Sequence, residues 1–529
     1  MRIDRRGFLR ALANALAIAS GAGAAARARA ASEGWDVHRA TRNTRSGALG
    51  IRWPRLRSAP PPFKAYADAR RIALPPVRSE PGLPLAAAVR SEEIGAGFAA
   101  TSLSLAQLGR LLHFANGVTD AAERERKSGR LRAAPSAGAL YAGEVYVAAE
   151  RVQGLPPGSY YYDVRRHALV PLARSALLAR AARALPQPAA AENAAAFVLL
   201  SNVFGRYRWY YANRGYRYAL IDSGHIGENL RLAARSAGLR ALAFPSFQDD
   251  ALNELLELDG REEAVCALVA IGPPGATAPR PGGAARRFVQ RQQLPADAPA
   301  GAASVLERYH AASGLVPLAG EVRPLPPPAE APMLAAPHCD AVELPEPAAP
   351  PAMTVEAAIA GRRSARRFHA GGMRLEQLAF ALLAARGSGG ASLSDDVDLY
   401  AAVHRVRDLA PGLYRYCAGS HAVELRQPGA LDERMVRVCL GQEMAGDAAV
   451  GLLVVARLGP GGAVGRDRRY RDLLLEAGAI AQRSYLAAEA LGLVARNLAA
   501  FRDGDLNRLL GLDGRSRAAV HLTMLGPGV

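Results

Sequence analysis

The sequence predicts an α+β fold built twice over, and three observations predict its layered, duplicated architecture. At 529 residues the chain exceeds what one ordinary core holds and points to about two to three domains. It repeats itself at a constant offset, and within each repeat apolar runs of helix and strand length alternate. The alternation alone allows α/β or α+β layers. Half the residues are apolar, as a packed globular protein requires. The net charge of +18 comes from arginines scattered through helix-like segments, without a basic stripe carrying interleaved aromatics, so composition explains it better than a nucleic-acid partner.

In chain order, residues 1–30 read as an address. Arg5-Arg6-Gly7-Phe8-Leu9-Arg10 fits the twin-arginine pattern, with Asp4 where Ser or Thr is more usual. An alanine-rich apolar run from Ala11 to Ala25 and a small-x-small cleavage site, Ala28-Arg29-Ala30, follow. The competing reading is a chance RR in an arginine-rich chain. A working signal would hand the folded protein to the twin-arginine machinery and place it in the periplasm. No segment reaches the roughly 18 uninterrupted apolar residues of a membrane helix, so no stable span is expected. Residues 31–85 read as an irregular N-terminal segment.

The repeat organises the rest. Gly158-Ser159-Tyr160-Tyr161-Tyr162 recurs as Gly412-Leu413-Tyr414-Arg415-Tyr416, and Leu258-Asp259-Gly260-Arg261 as Leu512-Asp513-Gly514-Arg515, both at an offset of 254 (412 minus 158, 512 minus 258). Tyr216-Arg217 with Tyr470-Arg471, and Gly272-Pro273 with Gly526-Pro527, keep that register. Leu105-Ala106-Gln107-Leu108 matches Leu375-Glu376-Gln377-Leu378 at 270, so the first half (86–273) carries 16 extra residues (270 minus 254) between Gly117 and Tyr141. Helices are expected at Leu103 to Ala115 and Asp222 to Ala237, the latter stopped by Gly238, and strands at Glu144 to Ala149, Ala196 to Ser201 and Val265 to Ile271. A proline- and alanine-rich linker, 274–352, holds one short amphipathic helix near Ala302 to Ala312 before the second half, 353–529. Cys266, Cys339, Cys417 and Cys439 stand far apart without C-x-x-C, so a metal site is not expected and buried free thiols are.

Two motifs can carry chemistry. Arg362-Arg363-Ser364-Ala365-Arg366-Arg367 packs guanidiniums and a hydroxyl into one turn, able to bind a phosphate or to stand as a solvated run. Pro135-Ser136-Ala137-Gly138-Ala139-Leu140-Tyr141, inside the insertion, allows a backbone to approach a flat ligand or makes an ordinary turn.

Together with the G-x-Y-x-Y hairpins and the late A-G-L helix end, these motifs resemble the nitroreductase superfamily, and most closely its SagB/ThcOx-type dehydrogenases, over roughly Leu103 to Pro273 and from Thr354 onward. The resemblance implies FMN bound at a dimer interface. Arg362, Arg363, Ser364 and Arg366 would hold the phosphate and ribityl chain, and Pro135, Ser136, Ala137 and Gly138 would line the isoalloxazine from the other half. In the first half the counterpart of the turn reads Val89-Arg90-Ser91-Glu92-Glu93; in the second the loop shrinks to Gly387–Asp396. One complete site in an intramolecular pseudo-dimer, with the second dismantled, is therefore expected. The family's catalytic Lys-Tyr pair falls on Tyr210-Tyr211, which removes the lysine and leaves Tyr211 and Tyr218 as proton donors or positioning groups, or as buried packing. The basic tail that often completes the family's phosphate site is missing after Val529, with Arg286-Arg287 as a substitute. The expected function is an exported FMN-dependent oxidoreductase acting on a small molecule or peptide. The alternative is a degenerate flavin-binding or scaffold protein.

Overall fold

The computed structural model describes residues 38, 40–43, 59–66, 69–77, 82–90, 95–120, 131–173, 177–277, 288–290, 305–317, 341–346, 352–387, 394, 396–458 and 466–529. The export signal, Cys339, Arg286-Arg287 and residues 91–94 of the first-half turn lie outside them.

The first half contributes β1 (Ile72–Ala73), α1 (Leu105–Asn116), β2 (Gly143–Ala149), β3 (Gly158–Asp163), β4 (Ala168–Ala173), β5 (Ala196–Val203), α2 (Phe204–Tyr211), α3 (Gly215–Ser236), β6 (Arg240–Phe244), α4 (Asp249–Leu255) and β7 (Glu263–Gly272). After α5 (Val305–Ala312) the second half contributes β8 (Ala341–Glu343), α6 (Val355–Gly361), α7 (Leu375–Arg386), β9 (Val397–Val403), β10 (Gly412–Cys417), β11 (Ala422–Pro428), β12 (Val450–Arg457), α8 (Arg466–Ala490), β13 (Val494–Asn497), α9 (Asp503–Leu509) and β14 (Arg517–Gly526). Each half builds one seven-stranded sheet, ordered β1-β4-β3-β2-β5-β7-β6 and β8-β11-β10-β9-β12-β14-β13. The orders are identical strand for strand and every pairing in them is antiparallel. The two tandem α+β halves expected from the repeat are present.

The central strands β2, β5, β9 and β12 are mostly apolar and buried along nearly their whole length, because helices or wrapping chain cover both faces. Helix α3 begins at Gly215, seven residues before the expected Asp222 (222 minus 215). Its first turns, rich in tyrosine, read as poor helix, yet Tyr216 and Tyr218 are buried there, and packing overrides propensity. Gly238 closes it with φ +68°, as a helix-stopping glycine should.

The halves meet along α3 and α8, which pack against each other inside one apolar cluster drawn from both halves. At their crossing stand Gly224 and Gly478. A Cβ on Gly224 would lie 2.0 Å from the carbonyl oxygen of Leu475, and one on Gly478 2.0 Å from that of Ile221. Both glycines, and both carbonyls, are 254 residues apart (478 minus 224, 475 minus 221), so the close approach sits on the pseudo-twofold axis.

Two buried ion clusters lock this seam. Asp503 on α9 accepts from Arg214 and Arg217 of the first half, each at 2.6 Å. Asp249 on α4 accepts from Arg468 and Arg471 of the second, at 2.8 and 2.7 Å. Two stretches that read as irregular segment and linker complete the clusters. Arg217 Nε donates to Thr41 Oγ1 and Arg471 Nη1 to Ser313 Oγ, while the backbone N–H of Asn43 reaches Asp503 and that of Leu315 reaches Asp249. His38 and His310 pair with Tyr470 and Tyr216 in the same way. These strap residues repeat at 272 (310 minus 38, 313 minus 41), so the duplication extends upstream of its legible part, where few matches survive.

Candidate functional site

Helix α6 ends at Gly361, and the arginine turn then runs beside β13. The Ala365 N–H donates to the Ala495 carbonyl at 2.8 Å, and Arg496 Nη1 returns a bond of 2.8 Å to the carbonyl of Ala365. This pins the turn from both sides. Arg362 is buried and reaches across the seam: its Nε donates to the carbonyl of Ala133 and its Nη2 to that of Arg132, both at 3.1 Å. These carbonyls immediately precede the Pro135–Tyr141 loop, so the turn of one half and the loop of the other are brought together. Ser364 is exposed and its Oγ lies 3.0 Å from the Tyr485 hydroxyl, which accepts from the Asn497 N–H at 2.9 Å. Arg363 folds back onto the carbonyls of Ala360 and Arg362, and Arg366 is exposed.

The loop makes a single 3₁₀ turn, Ala137–Ala139, after half-buried Pro135 and Ser136. Gly138 takes φ +63°, and a Cβ there would lie 2.7 Å from the Tyr211 hydroxyl. Glycine therefore both permits the conformation and lets Tyr211 lie against the loop. Ser136 Oγ accepts from the Tyr141 N–H at 2.8 Å and lies 2.7 Å from the hydroxyl of fully buried Tyr207, which donates to Asp222 on α3. Burial pushes the Asp222 carboxyl up to about 7, only partly offset by bonds from Tyr207, Ser136 and the Ala137 N–H. Burial likewise raises the Tyr211 phenol. Tyr218 is differently engaged. Its hydroxyl donates to the Ala499 carbonyl at 2.9 Å and accepts from Arg214 Nε at 3.0 Å, within the seam.

Beneath Tyr485 a polar chain crosses the seam. Thr523 Oγ1 donates to Asn497 Oδ1, Asn497 Nδ2 lies 2.9 Å from His225 Nε2, His225 Nδ1 lies 2.9 Å from Gln482 Oε1, and Gln482 donates to Asn229 Oδ1 at 2.6 Å. Burial holds His225 far below its ordinary range, so the ring is neutral, with Nδ1–H donating and Nε2 accepting.

Asp222, His225, Tyr207, Tyr485, Arg496 and Asn497 escaped the motif reading because none belongs to a short motif. A signal for them exists. At the 254 offset they stand opposite Glu476, Ala479, Gly461, Arg231, Leu242 and Ala243, positions where the halves differ. Where the second half aims Tyr485 at Ser364, the first half has Arg231, paired with Glu228 at 2.6 Å.

The site thus offers guanidiniums and a hydroxyl at one end (Arg362, Arg363, Ser364, Arg366, Arg496) and an open glycine loop backed by tyrosines at the other. That fits a ligand with a phosphate and a flat ring. Among the described residues, no group of His, Cys, Asp or Glu could hold a metal, no helix is long and apolar enough to cross a membrane, and Cys266, Cys417 and Cys439 are free thiols.

The sequence profile of the nitroreductase family matches residues 97–273 and 359–526. A candidate nitroreductase of Methanocaldococcus jannaschii is 31% identical over 161 residues, 30% of this chain and 78% of that protein. The trifolitoxin-processing protein of Rhizobium leguminosarum is 32% identical over 174 residues, 32% of this chain and 47% of that protein. A crystal structure of a candidate nitroreductase from Anabaena variabilis shares the fold over 94% of this chain and all of its own, with TM-score 0.76 and 24% identity.

Proposed function

The chain belongs to the nitroreductase family, as two tandem halves, and from that premise we propose that it is an exported, FMN-dependent oxidoreductase of SagB/ThcOx type with one flavin site shared between the halves. The observation that carries this reading is Arg362: a buried guanidinium from one half holds the backbone of the other half's loop. Bound FMN would accept two electrons as a hydride from the substrate.

The chain's own residues supply the rest. Ser364, Arg366 and Arg496 would hold the phosphate by charge-assisted bonds, and Arg363 would add charge beside them. Pro135, Ser136, Ala137 and Gly138 would bring their backbone against the ring, and Tyr211 would close the edge where Gly138 leaves room. Tyr218 would keep the Ala499 backbone in place. The name of the Rhizobium relative describes the processing of trifolitoxin by that protein, and a small molecule or peptide is the substrate class to test first. Export by the twin-arginine route, with the periplasm as destination, favours oxidation over reduction by nicotinamide cofactors, which are not maintained there.

Bound flavin per mature chain tests the reading. About one FMN per chain is expected, and Arg366→Ala should weaken its retention by about tenfold, the loss of one charge-assisted phosphate contact. Two FMN per chain would refute the single shared site. A degenerate binder is the second reading, favoured by a Tyr218 hydroxyl already engaged in the seam. It predicts bound FMN that no substrate ever bleaches.

A further inference from the structure

In both halves the same helix position engages a serine of the segment that leads into the sheet. Asp222 meets Ser136 through Tyr207, and Glu476, 254 residues on (476 minus 222), accepts from the Ser394 N–H at 2.8 Å and from its hydroxyl at 2.7 Å. The surroundings of the two carboxylates differ. Glu476 is half-buried and shares Ser394 with Arg469, whose Nη2 lies 3.3 Å from the serine hydroxyl. Asp222 is buried, and what bonds to it are the hydroxyls of Tyr207 and Ser136 and the Ala137 N–H, not a cation. Besides burial, Asp222 in turn raises the phenols of Tyr211 on α2 and Tyr141 in the loop, while Arg496 of β13 lowers that of Tyr211. A loop anchor needs no such environment, as the second half demonstrates. In the first half a line of proton-bearing hydroxyls leads from the carboxylate out to the loop instead.

We propose that Asp222 is the inner terminus of a proton relay, Ser136 to Tyr207 to Asp222, which serves the flavin reaction proposed above and rests on that reading. As substrate is oxidised, its hydride passes to the flavin with both electrons of the broken C–H bond. The proton of the adjacent N–H or O–H passes to Ser136 Oγ, the serine proton to the Tyr207 oxygen, and the tyrosine proton to Asp222 Oδ2. The substrate loses one hydride and one proton, the flavin gains the first and Asp222 the second. Asp222 is a positioning and proton-storing residue, since it acts through the two hydroxyls. The position of its titration near neutrality suits a group that both accepts and releases a proton.

Asp222→Asn tests this, because it keeps an oxygen for the Tyr207 hydroxyl and cannot take a proton. The first measurement is heat unfolding of the full mature chain from pH 5 to 9. A carboxyl that titrates near 7 when folded and near about 3.9 when unfolded stabilises the fold fully below the lower value, and that contribution is lost as pH rises through the upper one. The variant's Tm is therefore expected to gain on the wild type as pH rises. A carboxylate that serves only as an ionised anchor is deprotonated in both states above pH 5 and would leave the Tm difference constant across the range, and that result would overturn the proposal. The second measurement photoreduces the bound FMN and mixes the protein with nitrofurazone, whose nitro group takes a hydride and a proton. Wild-type reoxidation is expected to slow as pH rises through 7, whereas Asp222→Asn and Tyr207→Phe should be about 100-fold slower and flat with pH. Wild-type rates and pH dependence in either variant would also overturn it. Failure to bind FMN would count against the function proposed above, and the unfolding series, which needs no flavin, still decides on Asp222.

Discussion

Gly478→Ala is expected to lower the unfolding free energy by about 3 kcal/mol, the upper end of what overpacking a core costs. The new methyl would lie 2.0 Å from the carbonyl oxygen of Ile221 and 2.9 Å from Gly224 Cα. Those are backbone atoms of a helix, so no side chain can swing away to make room. Relief requires α3 and α8 to separate, and their contact is the middle of a cluster shared by both halves. Gly224→Ala should cost the same by symmetry, and the double variant less than twice as much, because one separation relieves both clashes. Gly419→Ala, with nothing within 4 Å of its Cβ, is the control and should stay within about 0.5 kcal/mol. Denaturant midpoints give the answer. An unchanged midpoint for Gly478→Ala would mean that the helices do not cross this closely.

Asp503→Ala should cost about 4 kcal/mol, the range for removing one partner of a buried ion pair. It strands Arg214 and Arg217, both buried and both bonded to this carboxylate. Burial alone would raise the Asp503 carboxyl, but the two guanidiniums overcome that and hold it at about 2. The same balance of burial against Arg468 and Arg471 holds Asp249 at about 2. Each depressed carboxyl contributes stability that is present above the unfolded value of about 3.9 and is lost as pH falls through the folded one. The wild type should therefore lose stability steeply between about pH 4 and 2, and each variant should lose correspondingly less there. Asp249→Ala is expected to match Asp503→Ala in stability and to differ in one respect. Arg214 also donates to the Ala499 carbonyl, two residues beyond β13, whereas the Asp249 cluster ties Pro245, on the other side of the pseudo-axis. Asp503→Ala should thus also loosen FMN, measured as flavin released on gel filtration, and Asp249→Ala should not. Equal flavin loss in both would contradict a single site on the β13 side.

The repeat made the architecture legible, because one register held from the hairpins to the final strand and the two sheets obey it strand for strand. What the repeat concealed is where its signal thins. His38 and His310, Thr41 and Ser313 occupy equivalent places on the seam, but a few matches in short segments of otherwise different sequence do not stand out from composition. The Arg362 turn and the Ser136 loop were legible as motifs, because each sets particular residue types in a row. His225 and Asn497 were not, because their partners come from elements hundreds of residues away, nor was Asp222, whose partners lie on another helix and the loop; a residue whose role depends on a tertiary neighbour leaves no local pattern. Tyr211 and Tyr218 were proposed together from one segment. Their rings meet edge to face at 4.7 Å, but their hydroxyls are used differently: one lies against the loop and the other is committed to the backbone of Ala499.

Arg362 and the loop it holds belong to one chain, which alters the genetics of the site as well as its geometry. In a dimer of separate subunits, a protein damaged in its arginine turn can meet one damaged in its loop, and their mixed dimer rebuilds one intact site. Here the two contributions are covalently joined at a high effective concentration, so subunits have nothing to exchange. Co-expressed Arg362→Ala and Gly138→Leu chains should show no complementation, and the flavin content of the wild type should not fall when the protein is diluted in buffer of fixed FMN concentration.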